Sequence, residues 1–177
     1  MHVGWEQLVD YWAGEGDLVE EHLFECDACA AESTRVARIV AAMRSAIPPV
    51  VSAAEVSALR GRGLAIAEND FAPGVRQEVE FPDGVDLLIH HLGGLDLGGA
   101  ERVDVIVRVE STGDVLWTEH FAPFDSARGE VLIACQRHFA FMPPDIVFDV
   151  RTIDGSGART AGTFVIPHHF SGGGGSR

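Results

Sequence analysis

The chain has no lysine. All thirteen of its basic residues are arginine, set against 27 aspartates and glutamates, for a formal net charge of −14. A surface this acidic repels nucleic acid and favours basic partners. Cysteine is scarce: Cys26, Cys29 and Cys135 are the only three, too few and too unevenly spaced for a disulfide framework. No stretch approaches the roughly 18 to 20 continuous apolar residues that a membrane span needs. The start, "MHVGWEQLVDYW", has neither a basic segment nor an apolar signal run. A protein that stays in the cytoplasm is therefore expected. GxSxG, the P-loop and GxGxxG are all missing, which removes the usual signs of a serine hydrolase or a nucleotide-binding enzyme.

The chain changes its hydrophobic period near residue 72. Before it the pattern is helical. Trp5, Leu8, Val9 and Trp12 fall at i, i+3, i+4 and i+7, and "GEG" follows. Asp17 with Glu20 suggests the cap of a second helix leading to Cys26. A third carries Val36, Ile39, Val40, Met43 and Ile47 on one face, up to Pro48-Pro49. Ser52 and Glu55 form a capping box for a fourth, "AAEVSALRGRGLAIAEN". After "FAPG" the pattern is of period two. Seven strands are predicted, over 76–81, 85–92, 102–110, 115–121, 129–136, 145–153 and 160–167, with turn signals between them. The expected class is α+β: a helical domain at 1–70, an antiparallel, immunoglobulin-like β-sandwich at 75–170, and a flexible tail at 171–177.

Within "HLFECDAC" a histidine stands four and seven residues before two cysteines. At about 100° per residue, His22, Cys26 and Cys29 share one narrow helical face. They would meet there whether the second helix runs on past Cys26 or joins the third at that point. Two thiolates and an imidazole favour zinc over harder cations. A closed zinc site needs a fourth ligand. His2 is the candidate, because the first helix can fold back and bring it close, and Glu6 is the substitute.

In the strand region the histidines are His90, His91, His120, His138, His168 and His169. No HxH or HExxH pattern links them, and neighbours such as His90 and His91 point to opposite faces of a strand. Alternation with Val131 and Ile133 makes Cys135 a core residue. No catalytic site is expected.

"WEQLVDYWAGE" followed by "VEEHLFECDACAAE" resembles the zinc-binding anti-sigma domain of bacterial anti-sigma factors. That family carries an N-terminal His or Cys, a helix ending in a "YLDGEL"-like turn, and HxxxCxxC. The matching positions are His2, Tyr11 to Glu15, His22, Cys26 and Cys29, within about residues 2 to 47 and at most to 70. The segment from Gly14 to His22 is about five residues shorter than is usual. The resemblance implies a protein that binds an extracytoplasmic-function sigma factor and occludes its promoter- and polymerase-binding surfaces. Val36, Ile39, Val40 and Met43 are the candidate contact residues, on a stripe that can equally serve as the core of the helical bundle. The sigma factor is the expected partner, without direct nucleic-acid or membrane contact, and a homodimer is possible. Zinc is expected to hold the helices together rather than to act as a redox switch. The other reading is a zinc-stabilised docking module that never binds sigma.

Overall fold

The computed structural model describes residues 2–13, 19–137 and 142–170, the side chains of 13, 41–45 and 170 excepted. The chain divides into two units, Met1–Ile47 and Pro48–Arg177.

The first unit holds three helices: α1 (Trp5–Ala13), α2 (Glu20–Glu25) and α3 (Asp27–Ser45). Gly14, Glu15, Gly16 and Asp17, read above as a helix stop and a cap, lie outside the described residues. Val19 precedes α2 and offers no side-chain cap. The core is small. Leu8, Val19 and Val36 are buried, with Val3, Val9, Tyr11, Leu23 and Val40 packed around them. On α3 the positions Cys29, Ser33, Val36 and Val40 repeat at i, i+4, i+7 and i+11, the inward face of a helix. Ser33 accepts a hydrogen bond from Trp12 Nε1 at 2.9 Å, tying α1 to that face. Of the candidate contact residues, Val36 and Val40 thus face the unit's own core, whereas Ile39 is exposed. The side chain of Met43 lies outside the described residues.

The second unit starts with β1 (Val50–Val51) and α4 (Ala53–Gly61). Eight strands follow: β2 (Ile66–Phe71), β3 (Val79–Phe81), β4 (Leu87–Leu92), β5 (Arg102–Val109), β6 (Val115–Glu119), β7 (Val131–Gln136), β8 (Asp145–Asp154) and β9 (Gly157–Phe170). They form two sheets, ordered β1-β7-β4-β2 and β3-β9-β8-β5-β6. Both sheets contribute to one hydrophobic cluster, with Leu88, Leu92 and Ile133 from the first and Val105, Phe148 and Phe164 from the second.

The structure moves the domain boundary from 70–75 to between Ile47 and Pro48. The expected fourth helix is also cut short. Ser52 and Glu55 form the expected capping box, but α4 stops at Gly61. Gly63 takes φ +86° and donates to Arg60 O at 2.9 Å, and Leu64 N–H reaches Leu59 O at 3.4 Å. These two bonds make a Schellman stop, which needs a residue that tolerates the left-handed region. The glycines thus terminate the helix short of the expected length. Residues 66–71 then form a strand.

All seven expected strands are present, with changed ends. The sheets are not wholly antiparallel, because β2 pairs with β4, and β3 with β9, in parallel. Between β2 and β4 the chain crosses to the other sheet as β3, so β2 and β4 lie side by side in the same direction.

Candidate metal centre

The centre is built around the junction of α2 and α3. Cys26 ends α2 in extended backbone, φ −129° and ψ 101°. Its amide donates to His22 O, and its carbonyl accepts from Ala30 N–H, both at 3.0 Å. One residue thus closes α2 and opens α3, so the two helices meet at Cys26 instead of running on as one. The Cys26 thiol occupies the N-cap position of α3. Hydrogen bonding from the Cys29 amide, helped by its thiol and by the Ala28 amide, holds the Cys26 thiol below its ordinary pKa despite some burial and the nearby Asp27 carboxylate. An N-terminal helix cap favours an anion at that place, here a thiolate.

Cys29, one turn into α3, is buried and central. His2 Nδ1 lies 3.3 Å from Cys29 Sγ, and His22 Nε2 lies 3.3 Å from the same sulfur. Cys26 Sγ is 3.6 Å from His2 Nδ1. One donor atom from each of the four residues lies within 4.8 Å of all the others. A tetrahedral ion with bonds of about 2.3 Å to sulfur and about 2.05 Å to nitrogen has sulfur–nitrogen edges of about 3.6 Å. The observed separations of 3.3, 3.3 and 3.6 Å come close to that value. The four residues expected to come together do so, and their spacing fits one metal ion. Glu6, the substitute, does not belong to the group.

Elsewhere the histidines divide as strand parity requires. His91 faces outward between two carboxylates, with Nε2 2.8 Å from Glu68 and Nδ1 3.2 Å from Glu130. Arg60 pairs with Glu68 and Arg128 with Glu130, so both carboxylates are already partnered. His120 Nδ1 lies 2.9 Å from Asp104. His138 lies outside the described residues. His90 points inward and lies with Cys135 and His168 in a second group of ligand-type side chains. No sequence motif marked that group, since its members stand 45 and 33 residues apart along the chain. Only the inward parity of each member was readable.

No family model matches the chain, and no curated protein matches it. Among solved structures the chain is similar to the N-terminal domain of phage TP901-1 ORF48, at 10% identity and a TM-score of 0.36, over 60% of this chain and 99% of that one. It is similar also to CopC from Methylosinus trichosporium OB3b, at 15% identity and a TM-score of 0.32, over 54% and 87%. Likenesses this distant carry no functional argument. Among the described residues, no helix is long and apolar enough to cross a membrane.

Proposed function

We propose that the first unit is a zinc-binding anti-sigma module, and that the chain sequesters an extracytoplasmic-function sigma factor in the cytoplasm. The observation that carries this reading is the convergence of His2, His22, Cys26 and Cys29 at tetrahedral-edge distances, on the segment that resembles the anti-sigma zinc domain. Two thiolates and two neutral imidazoles exactly balance a divalent charge, and soft sulfur with imidazole selects zinc among the common divalent ions. Residues 1–34 carry nine acidic residues and no arginine or lysine, which suits a partner whose surface is made for DNA.

The contact surface is revised from the expected stripe. Val36 and Val40 are used within the core, so among the described residues the exposed large apolar side chains of this unit are Trp5, Trp12, Phe24 and Ile39, with Met43 kept as a candidate. Phe24 is 87% exposed on a helix that also carries three acids, which suits an anchor surrounded by charge. The strand unit, read as an immunoglobulin-like sandwich, would receive a signal or bind a second protein.

The test is co-expression of the chain with an extracytoplasmic-function sigma factor from its own source, followed by co-purification and a zinc assay. Phe24→Ala and Ile39→Arg should keep one zinc and lose the sigma factor, whereas Cys29→Ser should lose both. Zinc bound at one per chain with no sigma factor recovered from any candidate would instead support the docking-module reading.

A further inference from the structure

The second group of ligand-type side chains lies in the core of the strand unit. His90 sits on β4 and Cys135 on β7, strands that are paired in one sheet. The register sets Leu88 opposite Cys135 and His90 opposite Ile133, so Cys135 is the diagonal neighbour of His90 on the inward face. His168 comes from β9 in the other sheet, on the same inward parity as Phe164 and Ile166. All three are buried, and one donor atom from each lies within 4.8 Å of the other two. The two Nε2 atoms are 2.8 Å apart.

A hydrogen-bonded pair of core histidines is the simplest account of that contact. It explains the histidines poorly as packing. His90 is wholly buried against Phe71, and its Nδ1 has no hydrogen-bond partner. Leaving such an atom unpaired costs about 1–3 kcal/mol, and a leucine or phenylalanine here would avoid it. It also leaves unexplained why a thiol stands beside the pair. Beside Cys135 and His168 there is a cavity of about 30 Å³, walled otherwise by apolar side chains and by Met142, whose thioether is another soft donor.

Charge selects the occupant. Burial, with the neighbouring His168 and His91, holds His90 well below its ordinary pKa, and burial lowers His168 to about 4. Both imidazoles are therefore neutral. Burial raises Cys135 to about 12, so the thiol ionises only with a cation beside it. Among the described residues no carboxylate belongs to the group. One thiolate balances one positive charge. A divalent ion would leave a net charge in an apolar core, which is costly. The first centre, with two cysteines, has the opposite arithmetic.

We propose that His90, Cys135 and His168 bind one cuprous ion in the core of the strand unit. Cu(I) is monovalent, is satisfied by three soft donors, and prefers thiolate, imidazole and thioether. On binding, the Cys135 S–H bond is exchanged for an S–Cu bond and the proton leaves to solvent. No oxidation state changes.

The test uses the full, zinc-loaded chain, titrated anaerobically with Cu(I) in competition with a chromogenic Cu(I) chelator. Copper and zinc are counted per chain. The expected result is one retained copper with zinc still bound. Cys135→Ala and His90→Leu should lose that copper, whereas Cys29→Ser should keep it. Failure of the wild-type chain to retain copper overturns the proposal, and so does retention that follows Cys29 instead of Cys135. Copper X-ray absorption on the wild-type chain decides the matter even where a core variant fails to fold. One thiolate sulfur and two nitrogens around copper, with or without a longer thioether sulfur from Met142, support the site, and two thiolate sulfurs place the ion at the first centre and refute it.

Discussion

Removing the metal from the first unit should unfold that unit and leave the other intact. Among its described residues, Leu8, Val19 and Val36 are the buried apolar core, too small to hold a unit that spans Met1–Ile47 without a staple. A structural zinc site contributes on the order of 10–16 kcal/mol to folding. Cys29→Ser is the sharpest perturbation, because Cys29 Sγ is the atom that both histidines approach. Helices α1, α2 and α3 have nine, six and nineteen residues, and α4 has nine. Far-ultraviolet circular dichroism should therefore lose roughly four-fifths of its helical signal on chelation or in Cys29→Ser. The strand signal and the thermal transition of Pro48–Arg177 should stay. A chain shown to be metal-free that keeps its helical signal would refute this account of the first unit.

Leu8→Ala should remove about 2–5 kcal/mol from a unit with little to spare, and chemical denaturation of the metal-loaded chain should show it. Phe24→Ala, on the exposed side, should stay within about 0.5 kcal/mol in the same assay. Gly129→Ala should destabilise the strand unit. Gly129 has φ +63°, and an added Cβ would stand 2.4 Å from Leu95 O. The left-handed conformation alone costs about 1–2 kcal/mol, and the clash adds to it, so the melting temperature should fall by roughly 5–10 °C. Asp104 gives a pH test. Burial raises its pKa, but hydrogen bonds from His120 and the Phe121 amide, with the Arg102 charge, outweigh this and leave it below 3.8. A carboxylate with a depressed folded-state pKa stabilises the fold above the unfolded value, and that contribution is lost as pH falls through the folded value. Asp104→Asn should therefore cost about 1–3 kcal/mol near neutral pH and flatten the acid limb of stability below about pH 4. An unchanged acid limb would show that Asp104 is not what titrates there.

The sequence by itself determined what depends on short separations. HxxxCxxC spans eight residues, short enough to keep its three donors close even though the chain turns from α2 into α3 at Cys26. His2 follows because the first helix is short and its inward face, Leu8 and Val9, is plain. The strands were legible because period-two alternation is a local property, as in Val103, Val105 and Val107, all buried. The capping box at Ser52 is equally local.

Tertiary structure decided what depends on distance along the chain. The expected helix ran on through Gly63, and whether the residues beyond it form helix or strand was settled by pairing. Ile66–Phe71 becomes a strand because β4 offers it a parallel edge. Val36 and Ile39 look alike on one apolar stripe, and only the packing of α1 against α3 buries the first and leaves the second exposed. His90 and His168 stand 78 residues apart and meet at 2.8 Å because two sheets close on one core. Inward parity could be read for each alone, but which inward residues face one another is fixed by strand order and register, and those are properties of the assembled sheets.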